Sequence, residues 1–298
     1  MKIRIGFGLG TRTLTNGADT FGPFVDDLEL IGFDSLWVSE RVGGPAPDPV
    51  VAMAFAAGRT TRLKFGMSVM VLPGRNPVLL AKELASLDRL SHGRLLPAFG
   101  LGVVDPREQQ AFGVRREDRG RIFDESLPLI RRLWTEDHVD HDGEFFHLQD
   151  ASIEPKPVQR PPDVWLGGAS KVELRRVGRL GDGWLPSFCD ATDIAAGIPI
   201  ITEEADRHGR AIDPEHIGAL IAYRDGPLPD VLAAFIAKRR PDADPTTMVP
   251  EGLDAVRATI ESMVEVGASK FVVLPLVEPE DWSAELERVA AALFPLQT

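Results

Sequence analysis

Apolar residues run almost unbroken from Met67 to Leu72 within the stretch Leu63–Pro73. A strand apolar on both faces belongs in a parallel sheet buried beneath helices. Asn76–Pro77 then supplies a helix cap and a first-turn proline, and Leu80, Leu84 and Leu87 recur at i, i+4 and i+7. Gly93 is the left-handed stop, and Arg94–Gly102 begins another strand. Together these form a strand–helix–strand crossover of the right-handed kind. Upstream, the pattern predicts a strand at Ile3–Leu9, a helix over Phe21–Ile31, a strand at Ser35–Glu40 and a helix over 49–59 opened by Asp48–Pro49. Downstream, a polar connection over 103–117 leads into a helix ending near Trp134. Strands follow at Val164–Gly168, Gly183–Phe188, Ile217–Tyr223 and Lys270–Leu276. Helices are expected over Lys171–Leu180, Asp193–His208, Asp230–Arg239, Leu253–Val266 and Trp282–Leu293.

Between the fourth and fifth pairs lies an interruption at His138–Pro162. Val139–Asp140–His141 and Glu144–Phe145–Phe146 flank Asp142–Gly143, a two-residue hairpin signal. Strand–helix alternation resumes directly afterwards, so this is an insertion. The fold class expected is α/β: a (β/α)8 TIM barrel forming a single domain over residues 1–298, with an open doubly wound sheet as the alternative.

Charge narrows the function classes. A formal net charge of −12 argues against a nucleic-acid footprint or an anionic-membrane surface. No run approaches the length of a membrane span, and the chain enters its first strand without an apolar leader, so a cytoplasmic location is expected. Cys189 is the sole cysteine, which rules out an intrachain disulfide and fits a small buried hydrophobe better than a nucleophile.

In a barrel the reactive groups lie at the C-terminal ends of strands. Those ends are Gly8–Arg12, Ser39–Glu40–Arg41, Ser68–Arg75, Gly100–Val103, Gly167–Ser170, Ser187–Asp190, Tyr223–Arg224 and Pro275–Glu278. They are poor in histidine and rich in glycine and apolar residues, which suits a flat organic cofactor rather than a metal. Gly167–Gly168–Ala169–Ser170 before a helix is a candidate phosphate cradle; the plainer alternative is a tight turn with Ser170 as helix cap. His138, Asp140, His141 and His147 have the look of a metal cluster, with His138 and His147 expected opposite each other. A polar hairpin face explains them equally, and no metal is assigned. Lys171, Arg175, Arg176 and Arg179 either steer a phosphate or form a solvated helix face.

Several segments carry a family resemblance: GFDSLWVSE (32–40), LKFGMSVMVLPGRNPVLLAKELASLDRLSHGRL (63–95) and AFGLG (98–102). It continues from Arg119 through PKPVQRPPDVWLGG and RVGRLGDGWLP to residue 186, and more loosely in 250–273. The sequence resembles the bacterial luciferase-like monooxygenase superfamily, in particular its coenzyme F420-dependent oxidoreductases. The resemblance implies a flavin or deazaflavin at the C-terminal mouth and a homodimer, for which the helices over 49–59 and 77–90 are the expected interface. It implies a non-proline cis peptide at Ser68–Val69 supporting the ring, with Leu101–Gly102 beside it and Gly167–Gly168 on the phosphate side. Glu40 matches the acid ending strand two. Arg41 stands where many members have histidine, and Val103 where the sugar-phosphate dehydrogenase branch has glutamate. Arg41 keeps its charge near pH 7 and is suited to holding an anion, not to moving a proton. The expected function is hydride transfer between coenzyme F420 and a small organic substrate, with Glu40 and Arg41 flanking the ring. The alternatives are an FMN-dependent monooxygenase and a non-catalytic flavin-binding barrel.

Overall fold

Several helices open on an acidic or amide residue followed by proline. Asp48, Asn76 and Asp105 each accept a hydrogen bond from the first helical turn through the side chain. Pro49, Pro77 and Pro106 take the first helical position, where their missing N–H would be unpaired anyway. The computed structural model describes residues 1–11 and 17–298, so Arg12 of the first strand end lies outside it. In chain order the elements begin with β1 (Arg4–Leu9), α1 (Ala18–Ile31), β2 (Ser35–Val38), α2 (Pro49–Arg59), β3 (Lys64–Met67), β4 (Met70–Val71) and α3 (Pro77–Leu90). Next come β5 (Leu95–Leu96), β6 (Ala98–Gly100), α4 (Pro106–Phe112), α5 (Arg119–Thr135), β7 (Val139–Asp142) and β8 (His147–Ala151). The second half holds β9 (Trp165–Leu166), α6 (Lys171–Leu180), β10 (Gly183–Trp184), α7 (Ala191–Arg207) and β11 (Gly218–Tyr223). It ends with α8 (Asp230–Arg239), α9 (Pro245–Met248), α10 (Gly252–Glu265), β12 (Lys270–Pro275) and α11 (Trp282–Leu293).

Among the described residues every ladder except the β7–β8 hairpin is parallel. Six strands pair in the order β11, β12, β1, β2, β3, β5, and four in the order β10, β9, β6, β4. Isolated parallel bridges Trp184–Ile217 and Ser187–Leu220 link the β10 stretch to β11. Three expected strands are interrupted. Leu63–Pro73 divides at a cis peptide between Ser68 and Val69. Arg94–Gly102 divides at Pro97, which has no N–H to give the ladder. Gly183–Phe188 is a regular strand only over Gly183–Trp184, with a single bridge at Ser187 beyond Pro186, which likewise lacks a donor.

The two faces of the parallel strands pack differently. One face meets the helices in the main core, which includes Phe7, Phe24, Leu84 and Trp134. The other forms a separate cluster of Trp37, Ala98, Trp165, Leu185 and Val272, with Val69, Leu96 and Leu220 against it. The N-terminal edge is closed by charge. Lys270 is buried, bonds Asp34 and lies 5.7 Å from the Trp37 ring centroid. Burial works against the Asp34 carboxylate, but Lys270 and Lys64 outweigh it and hold it below the ordinary range.

The hairpin departs from the expected two-residue turn. Asp142 pairs with His147, so the loop is 143–146, and Gly143 N–H donates to the Phe146 carbonyl at 3.0 Å. The cause is Glu125 on α5, whose carboxylate accepts the N–H groups of Glu144, Phe145 and Phe146 and meets His141 Nε2. No helix among the described residues is long and apolar enough to cross a membrane.

Glu29 on α1 fastens the connection into β3. Burial raises its pKa, but the N–H groups of Leu63, Thr61 and Arg62 and the Thr61 hydroxyl lower it further, to about 2. A depressed carboxyl contributes stability present above its unfolded value of 4.5 and lost as pH falls toward 2. Glu29→Gln is expected to lose about 1–2 kcal/mol near neutral pH after allowance for solvent screening. Thermal denaturation against pH should show the variant and parent converging across that window; parallel curves would refute the assignment.

Candidate active site

Glu40 lies two residues past β2 in a nearly closed position, its side chain only 5% exposed. Oε2 accepts Val71 N–H at 2.7 Å, and Oε1 pairs with the Arg75 guanidinium, whose Nε donates to the Val71 carbonyl at 3.0 Å. Burial pushes the Glu40 carboxyl up, opposed by Arg75 and the Val71 N–H. Both carboxylate oxygens therefore brace β4 and the turn into α3. Both Glu40 oxygens are thus engaged within the protein.

The braced segment follows the cis Ser68–Val69 bond, as the resemblance implies. Ser68 N–H donates to the Val38 carbonyl at 2.9 Å, and Ser39 Oγ lies 3.2 Å from Ser68 Oγ. Val69 lies against the bare backbone of β6. A Cβ on Gly100 would stand 2.5 Å from Val69 Cγ2, so only glycine admits this contact. A Cβ on Gly167 would be 3.6 Å from Val69 Cγ1. Val69, Gly100 and Gly167 thus pack together at the C-terminal edge as a floor to which the two glycines contribute no side chain.

Arg41 is not available to an anion in the way its sequence position implied. Its NH2 lies 2.8 Å from Asp105 Oδ2 and its Nε 3.3 Å from Glu108 Oε1. Glu108 also accepts the N–H groups of Val42 and Gly43 at 3.3 Å. These bonds pin α4 across the end of β2. The carbonyls of Leu101 and Gly102 each accept Arg119 NH1 at 3.1 Å. Val71, Leu101, Gly102, Glu108, Phe112 and Arg119 line a small cavity there.

The Gly167–Ser170 turn takes the form of a tight turn with Ser170 as helix cap, the plainer of the two alternatives. Glu173 Oε2 already accepts Ala169 N–H at 3.2 Å and Ser170 N–H at 3.0 Å. Ser170 Oγ in turn accepts Glu173 N–H, closing a capping box. An anion at Ala169 and Ser170 would have to displace this carboxylate. Behind the loop, Arg176 is buried against Asp124, while Lys171 and Arg175 stay exposed. The histidine cluster also separates: His138 meets Asp150, His141 meets Glu125 and His147 meets Asp142. Among the described residues no group of three or more candidate ligands is placed to hold a metal. Burial, aided by Asp193, pushes the Cys189 thiol up to about 12, which keeps it neutral. Sequence reasoning missed Arg75, Glu108 and Glu173. Asp105–Pro106–x–Glu108 and Ser170–x–x–Glu173 are both legible capping signals that point to the last two.

The parallel α/β scaffold has known counterparts. A family model described as luciferase-like monooxygenase matches residues 3–225. The chain belongs to the luciferase-like monooxygenase family. An F420-dependent glucose-6-phosphate dehydrogenase from Amycolatopsis mediterranei (strain U-32) is 34% identical over 216 residues, covering 66% of this chain and 63% of the relative. The match thus spans less than two thirds of that protein's length. A monooxygenase structure from Streptomyces bottropensis superposes with a TM-score of 0.81 at 23% identity, covering 99% of each chain. An F420-dependent secondary alcohol dehydrogenase, solved with an F420–acetone adduct, gives 0.83 at 19% identity over the whole of both chains. At those identities the two structures show the fold alone.

Arg75→Ala leaves Glu40 buried without its counter-charge, which is expected to cost about 3 kcal/mol. Combining it with Glu40→Gln should restore part of that stability. Denaturant unfolding of the parent, both single variants and the double variant checks this; additive losses would show that the pair does not act as a unit.

Proposed function

We propose that this protein is an F420-dependent oxidoreductase that moves a hydride between the deazaflavin and a small organic substrate. In this reading the parallel strands form a (β/α)8 barrel with the hairpin as an insertion, in a single-domain, cytoplasmic homodimer. The observation that carries it is the floor of Val69, Gly100 and Gly167, where bare glycine backbone leaves a planar tricyclic ring room to approach. The F420-dependent relatives support the choice of deazaflavin. Ser68, Val69, Leu101 and Gly102 would hold the ring, with Gly167 beneath it. The deazaflavin supplies a ring carbon that takes or gives a hydride, whereas FMN would supply a nitrogen that opens oxygen chemistry. Glu40 and Arg75 keep the floor in register, and Arg119 fixes the carbonyls of Leu101 and Gly102. With Ala169 and Ser170 N–H engaged by Glu173, the exposed Lys171 and Arg175 are the cations nearest in sequence to that turn for a phosphate and anionic tail.

Titration of the purified protein with each cofactor tests the reading. F420 is expected to bind more tightly than FMN; tight FMN binding without detectable F420 binding would turn the assignment to the monooxygenase alternative.

The homodimer rests on an apolar strip. Val51 and Phe55 on α2 are 65% and 41% exposed, and Leu79 on the adjacent α3 is 63% exposed. Sedimentation at micromolar concentration should give twice the monomer mass, and Phe55→Glu should shift it toward monomer. A monomeric parent would dismiss the interface.

A further inference from the structure

Residues 225–250 lie across the C-terminal ends of β11 and β12 and bury a second apolar cluster there. Side chains alternate along a strand, so Leu220 and Ala222 share one face of β11, and Val272 and Leu274 share one face of β12. Leu220 and Val272 belong to the inner cluster with Trp37 and Trp165. Ala222 and Leu274, one step nearer the mouth, pack with Ile236 of α8, and Leu220 touches both clusters. The inner face thus continues without a polar break from the middle of the sheet to the underside of α8. Leu228, Leu232, Phe188 and Leu276 are only partly buried against this upper cluster, leaving apolar surface at the rim.

Charge at the same edge is already neutralised. Arg41 pairs with Asp105 and Glu108, and Arg75 with Glu40. Arg119 donates to the carbonyls of Leu101 and Gly102. Arg224 pairs with Glu251, its Nε donating to the Val249 carbonyl at 3.2 Å. Arg240 donates to the Phe188 carbonyl at 2.9 Å and pairs with Asp193 and Asp242. Binding a phosphate through any of these five would first require displacing a carboxylate or carbonyl partner.

From these two observations we infer that the substrate is a neutral, apolar ketone or alcohol, seated against Leu232 and its neighbours under α8, and that phosphorylated sugars are excluded. This rests on the oxidoreductase reading and deepens it. The substrate's apolar body replaces water over the upper cluster, and no free guanidinium among those five rewards an anionic group. Leu232 is the specificity-determining position.

The test is binding, with the protein loaded with whichever of F420 or FMN it takes up. Cyclopentanone, cyclohexanone and cycloheptanone are titrated alongside glucose 6-phosphate, followed by tryptophan fluorescence and calorimetry. Affinity is expected to rise about threefold to fourfold with each added methylene, and cyclohexanone should bind at least tenfold more tightly than glucose 6-phosphate. Leu232→Asp should weaken cycloheptanone at least tenfold, and the milder Leu232→Ala should flatten the methylene series while the cofactor affinity stays within twofold. Equal or preferential binding of glucose 6-phosphate would overturn the inference. So would absence of binding by every ketone, or an unchanged series in Leu232→Ala. Cofactor uptake is read separately from the absorption spectrum, so failure to bind either cofactor counts against the oxidoreductase reading. In that event the ketone series on the unloaded protein still decides the substrate class.

Discussion

A carboxylate removed from water must find charge and hydrogen bonds, and in this protein Glu40 is the carboxylate on which the candidate site depends. Its two oxygens take Arg75 and the Val71 N–H, residues that follow the cis Ser68–Val69 bond. That ties the end of β2 to β4 and to the entry of α3, where Asn76 caps the helix one residue after Arg75. Val69 is thereby held where the side-chain-free Gly100 can receive it. The charge pair, the chain reversal and the glycine floor form one unit.

The same economy of charge distinguishes the two edges of the sheet. At the N-terminal edge Asp34 and Lys270 are paired beside Trp37 as a buried polar plug. At the C-terminal edge the arginines lie around the rim and are engaged by Asp105, Glu108, Glu251 and Asp193, while the centre is glycine and apolar side chains. A neutral interior framed by internally paired cations suits the planar, weakly polar part of a ligand, and leaves any charged tail to the exposed Lys171 and Arg175 outside it.

Several features of the site are written locally. Asp105–Pro106 carries the same cap as Asp48–Pro49 and Asn76–Pro77, yet it lies in a stretch expected to be a polar connection. Ser170 and Glu173 have capping-box spacing, which already implies that the N–H groups of the glycine turn are engaged. Other features had no local signal. Asp142–Gly143 is a sound two-residue turn by itself, but Glu125, seventeen residues earlier in the chain and on another element, gathers three consecutive N–H groups and widens the loop. Arg41 looked free because Glu108 reaches it only once α4 folds back over β2.

The sequence alone determined the alternation of strands and helices, the hairpin between the fourth and fifth pairs, the edge that carries the glycines, and the family. Those properties follow from periodicity, capping residues and contiguous motifs, which act over a few residues along the chain. Tertiary structure decided which charges remain available. Glu40, Arg41 and the Gly167–Ser170 turn each take a partner from elsewhere in the fold or from the following helical turn. Charged groups seek partners through space, and the low dielectric of a folded interior makes those partnerships strong, so the final pairing is set by packing and not by spacing along the chain.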